Sequence, residues 1–221
     1  MQAPITRSLF IFSLLYGGMT VLAGVLGNKQ LALGPLAVEA GIVAFLLLVI
    51  LSSAVAELHG RATANRLVLW GFLPLLVSAA LIAVVQALPA SAEMESERLA
   101  AFELILGQSV RLMLAGLIAY GTSQLLNVTI FNALRGRGEG RLLALRAGVA
   151  SVASQIVDTL LFITIAFLGV FPIWNLLLGQ MLAKVVLSAV LVPPLVISFV
   201  RWGRHLDGAG TGGLHPARAG G

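Results

Sequence analysis

Cysteine and charged residues are scarce in this sequence, and each scarcity excludes a class of protein. None of the 221 residues is cysteine, which excludes disulfides, thiolate metal sites and cysteine nucleophiles. Only 10% of the residues are charged, against about 25% in an average soluble domain, whereas 59% are hydrophobic. A soluble chain of this length cannot bury that much apolar surface in one core, but a lipid bilayer is an apolar solvent for it. The composition therefore predicts an integral membrane protein.

Six apolar segments have about the length that a membrane-spanning helix needs, about 20 residues. We predict an all-α bundle of six transmembrane helices within residues 1–203, with helices at about 9–26, 38–56, 67–88, 104–126, 147–171 and 173–200. The first segment ends in Gly-Asn-Lys rather than in a small-residue cleavage site, so we interpret it as a retained helix. Residues 204–221, whose end is rich in Gly and Ala, are predicted to form a disordered cytoplasmic tail.

Arginine marks one side of the predicted bundle. If the helices alternate in direction, ten arginines fall on that side: Arg7, Arg61, Arg66, Arg135, Arg137, Arg141, Arg146, Arg201, Arg204 and Arg218. The positive-inside rule places this side, with both termini, in the cytoplasm of a bacterial-type inner membrane. The same rule accounts for the net charge of +5, so no nucleic-acid partner is predicted.

Polar side chains on the fifth and sixth helices indicate a binding site. Ser154, Gln155 and Asp158 lie on one face of helix five, and Gln180 and Lys184 are spaced i, i+4 on helix six. A charge at mid-bilayer costs about 3 kcal/mol, so Asp158 and Lys184 are predicted to face each other or one ligand between them. Interhelical hydrogen bonds and a purely structural ion pair are the alternatives.

Helices two and four supply further polar candidates. Glu57 lies near the end of helix two, Arg111 in the outer half of helix four, and Gln124 and Asn127 near its inner end. Alternatively, Glu57 lies at the interface beside Arg61, and Arg111 reaches the outer headgroups. The inventory suits a planar, neutral or weakly charged heterocycle with several N–H donors. No catalytic residue, cofactor or metal site is predicted, because the histidines lack ligand spacing.

Several blocks in order along residues 28–193 carry a family resemblance. They are Gly27-Asn28-Lys29, Ser53-Ala-Val-Ala-Glu57-Leu-His-Gly60, residues 111–135 with Ser123-Gln124 and Asn127-Val128, Ser154-Gln155-Ile-Val-Asp158-Thr159, and Lys184 with Pro193. These blocks resemble the queuosine precursor transporters, also known as vitamin uptake transporters. The resemblance implies a stand-alone importer of 7-deazaguanine bases, chiefly 7-cyano-7-deazaguanine, that supplies tRNA modification.

The resemblance also implies which residues bind this purine-like base. The predicted substrate-binding residues are Asn28, Glu57, Arg111, Gln124, Asn127, Gln155, Asp158 and Lys184. The family commonly has Asp where this chain has Ser53 and Asn127, so two negative charges are missing from the presumed site. The preferred deazapurine therefore stays open, as do the energy source and a homo-oligomeric state.

Alternating access around a mid-membrane site is the predicted mechanism. No G-x-x-x-x-G-K-[ST] run is present, which excludes ATP hydrolysis by a P-loop in this chain. The runner-up is a substrate-binding subunit of an energy-coupling factor importer, docked through the small residues Gly17, Gly18, Ala23 and Gly24. A lipid enzyme using the arginine-rich side is disfavoured, because the sequence suggests no His–Asp or Ser–His constellation there. A non-catalytic scaffold would not explain so many buried polar groups.

Overall fold

The computed structural model describes residues 5–107, 109–133, 143–169 and 172–208. In these ranges the chain forms helices and one short hairpin. The elements are α1 (Arg7–Leu26), β1 (Gln30–Leu33), β2 (Leu36–Glu39), α2 (Ile42–His59), α3 (Arg61–Ala87), α4 (Ser96–Gly107), α5 (Ser109–Ala133), α6 (Leu143–Phe167), α7 (Trp174–Val190) and α8 (Val192–Gly208).

The helices form an all-α membrane bundle, as predicted. Among the described residues, five helical stretches are long and apolar enough to cross a membrane, and α7 with α8 makes a sixth if that bent pair is one span. The pair is bent by 49° at the break between them. Pro193 and Pro194 lie in the first turn of α8, where their missing N–H groups are tolerated, whereas both would disrupt an unbroken helix.

Several helix bounds differ from the prediction. The second helix begins at Ile42 rather than at 38, because the preceding residues pair as strands. The fifth predicted helix, which is α6 in the structure, ends at Phe167 rather than at 171. Gly169 follows with φ +84, a left-handed conformation that stops a helix. At the other end of the chain, α8 continues to Gly208, five residues into the predicted tail. The rest of that tail, 209–221, lies outside the described residues.

The connection between α1 and α2 is an antiparallel hairpin that packs on α7. Gln30 pairs with Glu39 and Leu33 with Leu36, and the turn contains Gly34 at φ +59. A Cβ placed on Gly179 of α7 would collide with the carbonyl oxygen of Ala37 in β2. Glycine at this position therefore lets the hairpin backbone lie directly against the helix. We name this end of the bundle the hairpin end.

A packed layer of apolar and aromatic side chains fills the opposite half of the bundle. Phe12 and Tyr16 of α1 are completely buried there, beside Leu51 of α2 and Val68 of α3. Gly71 on α3 makes this packing close, since a Cβ there would collide with the ring of Tyr16. Beyond the layer lies the termini end, where α1 begins and α8 ends.

A polar clasp joins three helices at the termini end. The Ser8 backbone N–H donates to Asp207 Oδ1 (2.9 Å), its hydroxyl donates to Asp207 Oδ2 (2.7 Å), and the same hydroxyl lies 2.7 Å from His59 Nε2. The expectation that Ser, His and Asp do not meet at this end is therefore wrong, because tertiary folding brings distant segments together. The order is not that of a hydrolytic triad, since a completely buried Ser8 lies between the other two side chains.

Candidate functional site

A cavity occupies the hairpin half of the bundle. A water-sized sphere can be centred within about 100 Å³ of it, and the space between its side chains, with the open mouth included, is about 730 Å³. Its walls come from α1, α2, α3, α5, α6, α7 and from Glu39 of β2. Most of the lining is apolar, with Thr20, Glu39, Tyr120, Asp158, Gln180 and Lys184 as its polar side chains in the described part of the chain.

The predicted charges meet on one wall of this cavity. Lys184 Nζ of α7 lies 2.6 Å from Asp158 Oδ2 of α6, and both side chains are buried. Ser123 of α5 donates its hydroxyl to Asp158 Oδ1 (3.2 Å), and the ammonium of Lys184 lies 4.5 Å from the centre of the Phe45 ring. These contacts compensate a pair of charges that would otherwise be expensive to bury. Of the two predicted arrangements, facing each other or facing one ligand between them, the structure has the first.

A second polar pair lies one turn away along α7, where β2 meets that helix. The backbone N–H of Glu39 donates to Gln180 Oε1 (2.8 Å), and Gln180 Nε2 lies 3.4 Å from Glu39 Oε2. Burial raises the pKa of the Glu39 carboxyl to about 7, while the positive charge of Lys184 lowers that pKa and the negative charge of Asp158 raises it. The i, i+4 spacing of Gln180 and Lys184 signals one half of this pair, but nothing local signals Glu39.

Aromatic rings close the cavity toward the packed layer. The hydroxyls of Tyr120 on α5 and Tyr16 on α1 are hydrogen-bonded to each other. The Tyr120 ring meets Phe45 at 5.2 Å and Phe72 at 5.6 Å between ring centres, both nearly edge to face. Such contacts are favourable for aromatic pairs, and together they form a floor beneath the cavity.

Polar side chains continue past this floor between α5, α6 and α7. Gln124 and Gln155 are buried and Asn127 is half-buried, one to two turns nearer the termini end than the cavity. The atoms Gln155 Oε1, Ser151 Oγ and Ser188 Oγ are buried without a hydrogen-bond partner in the described part of the protein. Unpaired buried polar atoms are uncommon in proteins, so this stretch is chemically distinct from the apolar layer beside it.

Besides Gln124, Asn127 and Gln155, three more predicted site residues lie away from the cavity lining. Asn28 donates its amide to the carbonyls of Gly24 and Val25, which caps the end of α1. Arg111 is exposed and donates to the carbonyl oxygens of Ile165 and Leu168, which ties α5 to the end of α6. Glu57 is exposed near the end of α2, in the termini half.

Comparison with known proteins places the bundle in a family. Residues 39–198 match the family described as "Putative vitamin uptake transporter". The chain belongs to this family. It is also 32% identical, over 185 residues, to the "Probable queuosine precursor transporter" of Bacillus subtilis (strain 168), a match that covers 80% of this chain and 78% of the relative. No solved structure matches the chain.

The family membership confirms the predicted resemblance and defines the class of activity. The protein is a transporter rather than an enzyme, and it is a multi-pass protein of the bacterial plasma membrane. The matched segment begins at Glu39 and extends beyond Lys184. Both polar pairs of the cavity therefore lie within the part of the chain that the family shares.

Proposed function

We propose that this transporter imports a queuosine precursor, a 7-deazaguanine base such as 7-cyano-7-deazaguanine, that is used in tRNA modification. The observation that carries the proposal is the pair of polar contacts inside an otherwise apolar, aromatic-walled cavity. A planar heterocycle fits between aromatic rings, while its N–H and carbonyl groups need fixed polar partners. The name of the Bacillus subtilis relative supports the same class of substrate.

Asp158 and Lys184 are the predicted residues that we place in contact with the substrate. Both line the cavity, and each has hydrogen-bonding capacity beyond the ion pair, since a carboxylate has about four acceptor sites and an ammonium three donors. A base bound beside them gains charge-assisted hydrogen bonds, which are stronger than neutral ones. This proposed site does not include Asn28, Glu57 or Arg111, because none of them lines the cavity.

The polar stretch beyond the floor suggests the second half of the transport route. For the base to leave toward the termini end, the Tyr16–Tyr120 contact has to open. The base would then meet hydrogen-bond partners one to two turns further along. We propose this role for the predicted residues Gln124, Asn127 and Gln155. In this scheme the site opens alternately to the two ends of the bundle.

The contacts of α1 give no support to the alternative function, a substrate-binding subunit of an energy-coupling factor importer. Gly17 lies against Pro74 of α3, since a Cβ on this glycine would be 3.2 Å from the Pro74 ring. Ala23 and Gly24 line the cavity. Most of the small residues considered for docking a partner are therefore occupied within the bundle, which favours a stand-alone transporter.

The proposal is tested by the queuosine content of tRNA in a bacterial host that can neither make nor import the precursor. Cells that carry this gene and are fed low concentrations of 7-cyano-7-deazaguanine should regain queuosine. Asp158→Asn and Lys184→Ala should each reduce that recovery at least about tenfold, because each leaves one buried charge without its partner. The matched control is Glu93→Gln, a carboxylate change in an exposed loop. No recovery by a correctly inserted wild-type protein would refute the proposed substrate.

A further inference from the structure

The carboxylate of Glu39 packs closely against two glycines. A Cβ on Gly27, at the end of α1, would collide with Glu39 Oε1, and a Cβ on Gly41, just before α2, would lie 2.7 Å from the same oxygen. Both glycines line the cavity together with Glu39. Any larger residue at either position would displace the carboxylate, so the backbone here is shaped around that group.

The hydrogen-bonding capacity of Glu39 is largely unused. Among the residues that the structure describes, its side chain receives one long contact, 3.4 Å from Gln180 Nε2, while Gln180 Oε1 accepts from the backbone N–H of Glu39. Asp158, in contrast, already accepts from Lys184 and Ser123. Since an ionised carboxylate can accept about four hydrogen bonds, Glu39 is the acidic group with the most room for a ligand.

The charge balance of the cavity also depends on Glu39. Among the residues that the structure describes, its charged lining side chains are Glu39, Asp158 and Lys184. Lys184 forms its salt bridge with Asp158, and in this part of the chain no salt bridge joins Glu39 to a cation. An ionised Glu39 therefore makes the cavity net negative, which favours N–H donors and repels phosphate groups.

We infer that Glu39 is the specificity-determining residue of this cavity, accepting two parallel hydrogen bonds from a heterocycle with adjacent ring N–H and exocyclic amino groups. This inference rests on the proposed function and deepens it, because a guanine-type base has that edge. The same carboxylate excludes phosphorylated forms, so the transporter takes the free base and not its nucleotide. Losing one such buried partner typically reduces discrimination steeply, since the unpaired group stays desolvated.

Binding to purified full-length protein tests the inference with paired ligands. Each pair has the same ring with and without the amino group: 7-deazaguanine and 7-deazahypoxanthine, and pterin and pteridin-4(3H)-one. We expect wild-type protein to prefer the amino member by about 10- to 100-fold and to bind guanosine monophosphate no better than the deaminated members. Glu39→Gln, which keeps the size of the side chain, should remove most of that preference.

Two further variants separate recognition from folding. Glu39→Asp keeps the charge and should keep the preference for the amino member at lower overall affinity, while Glu93→Gln should behave as wild type. A Glu39→Gln protein with an unchanged melting temperature and an unchanged preference would overturn the inference.

The outcomes also separate the inference from the proposed function. If 7-cyano-7-deazaguanine binds regardless of residue 39, the function stands and the inference fails. If that base does not bind but another amino-bearing ring binds through Glu39, the inference stands and the proposed substrate is wrong. If wild-type protein binds neither 7-cyano-7-deazaguanine nor any other amino-bearing ring, both are wrong.

Discussion

At the scale of single residues, the cavity contains one pair of opposite charges that compensate each other and one carboxylate without a salt-bridge partner in the described part of the chain. Asp158 and Lys184 neutralise each other at 2.6 Å, so together they add no net charge to the cavity. Glu39 has no salt-bridge partner in the described part of the chain, and burial raises the pKa of its carboxyl to about 7. Physiological pH therefore falls where Glu39 exchanges its proton.

This titration predicts how binding depends on pH. Above the pKa of about 7, Glu39 is ionised and accepts hydrogen bonds; below it, a proton occupies the carboxyl. The charged groups facing it are Lys184 on α7 and Asp158 on α6. If the base needs the ionised form, its apparent Kd should rise about tenfold from pH 8 to pH 6. Calorimetric titration of the wild-type protein measures this dependence.

The matched control for the pH dependence is Glu39→Gln. This variant cannot ionise at position 39, so its weaker binding should change less than about twofold between pH 6 and pH 8. A wild-type affinity that is flat over the same range would show that the ionised carboxylate is not required.

Sequence reasoning reached one of these two charge sites and missed the other. Asp158 and Lys184 are recognisable because a charge inside a long apolar segment is expensive and has a short list of explanations. Glu39 stands at the edge of an apolar segment, where acidic residues are ordinary. Its place in the cavity depends on Gln180, 141 positions further along the chain, and no local pattern encodes that contact.

At the scale of elements, the hairpin and α7 form one unit. Residues 30–39 contain Gly34-Pro35, a pair typical of turns, between two short runs of Leu, Ala and Val, and the prediction of a helix from residue 38 did not use this signal. The close approach to Gly179 and the hydrogen bond from Glu39 to Gln180 hold the hairpin on α7. The break before α8 likewise has a visible signal in Pro193 and Pro194.

Adding a side chain where the hairpin contacts α7 should therefore damage the site without changing its polar groups. Gly179→Ala adds a Cβ that collides with Ala37, so the hairpin must shift away from α7. We expect a loss of about 1–3 kcal/mol of stability, as for other overpacked cores, and weaker binding of the base. Thermal unfolding and ligand titration of the purified variant measure the two effects.

Gly18→Ala is the control for this change. Gly18 also lies in a helix, but a Cβ there meets nothing within 4 Å. Its substitution should leave binding intact and should not destabilise the protein, since alanine favours a helix by about 1 kcal/mol over glycine. Equal effects of the two substitutions would contradict the packing of the hairpin on α7.

At the scale of the whole molecule, the two ends of the bundle are closed differently. The cavity lies in the hairpin half, whereas the Tyr16–Tyr120 contact, the apolar layer and the clasp of Ser8, His59 and Asp207 separate it from the termini end. Charge segregation in the sequence predicts which end is cytoplasmic, and it cannot reveal where the packing is dense. That asymmetry depends on contacts between helices that are far apart in the chain.

In the proposed mechanism, one chain moves a guanine-type base across a membrane by itself. The most direct test is uptake of radiolabelled 7-cyano-7-deazaguanine into liposomes that contain only the purified protein, with Asp158→Asn protein reconstituted in parallel. We predict uptake by the wild-type protein that saturates with substrate and falls at least about tenfold in the variant. Wild-type protein that is folded and correctly inserted but gives no uptake above empty liposomes would contradict stand-alone import of this base.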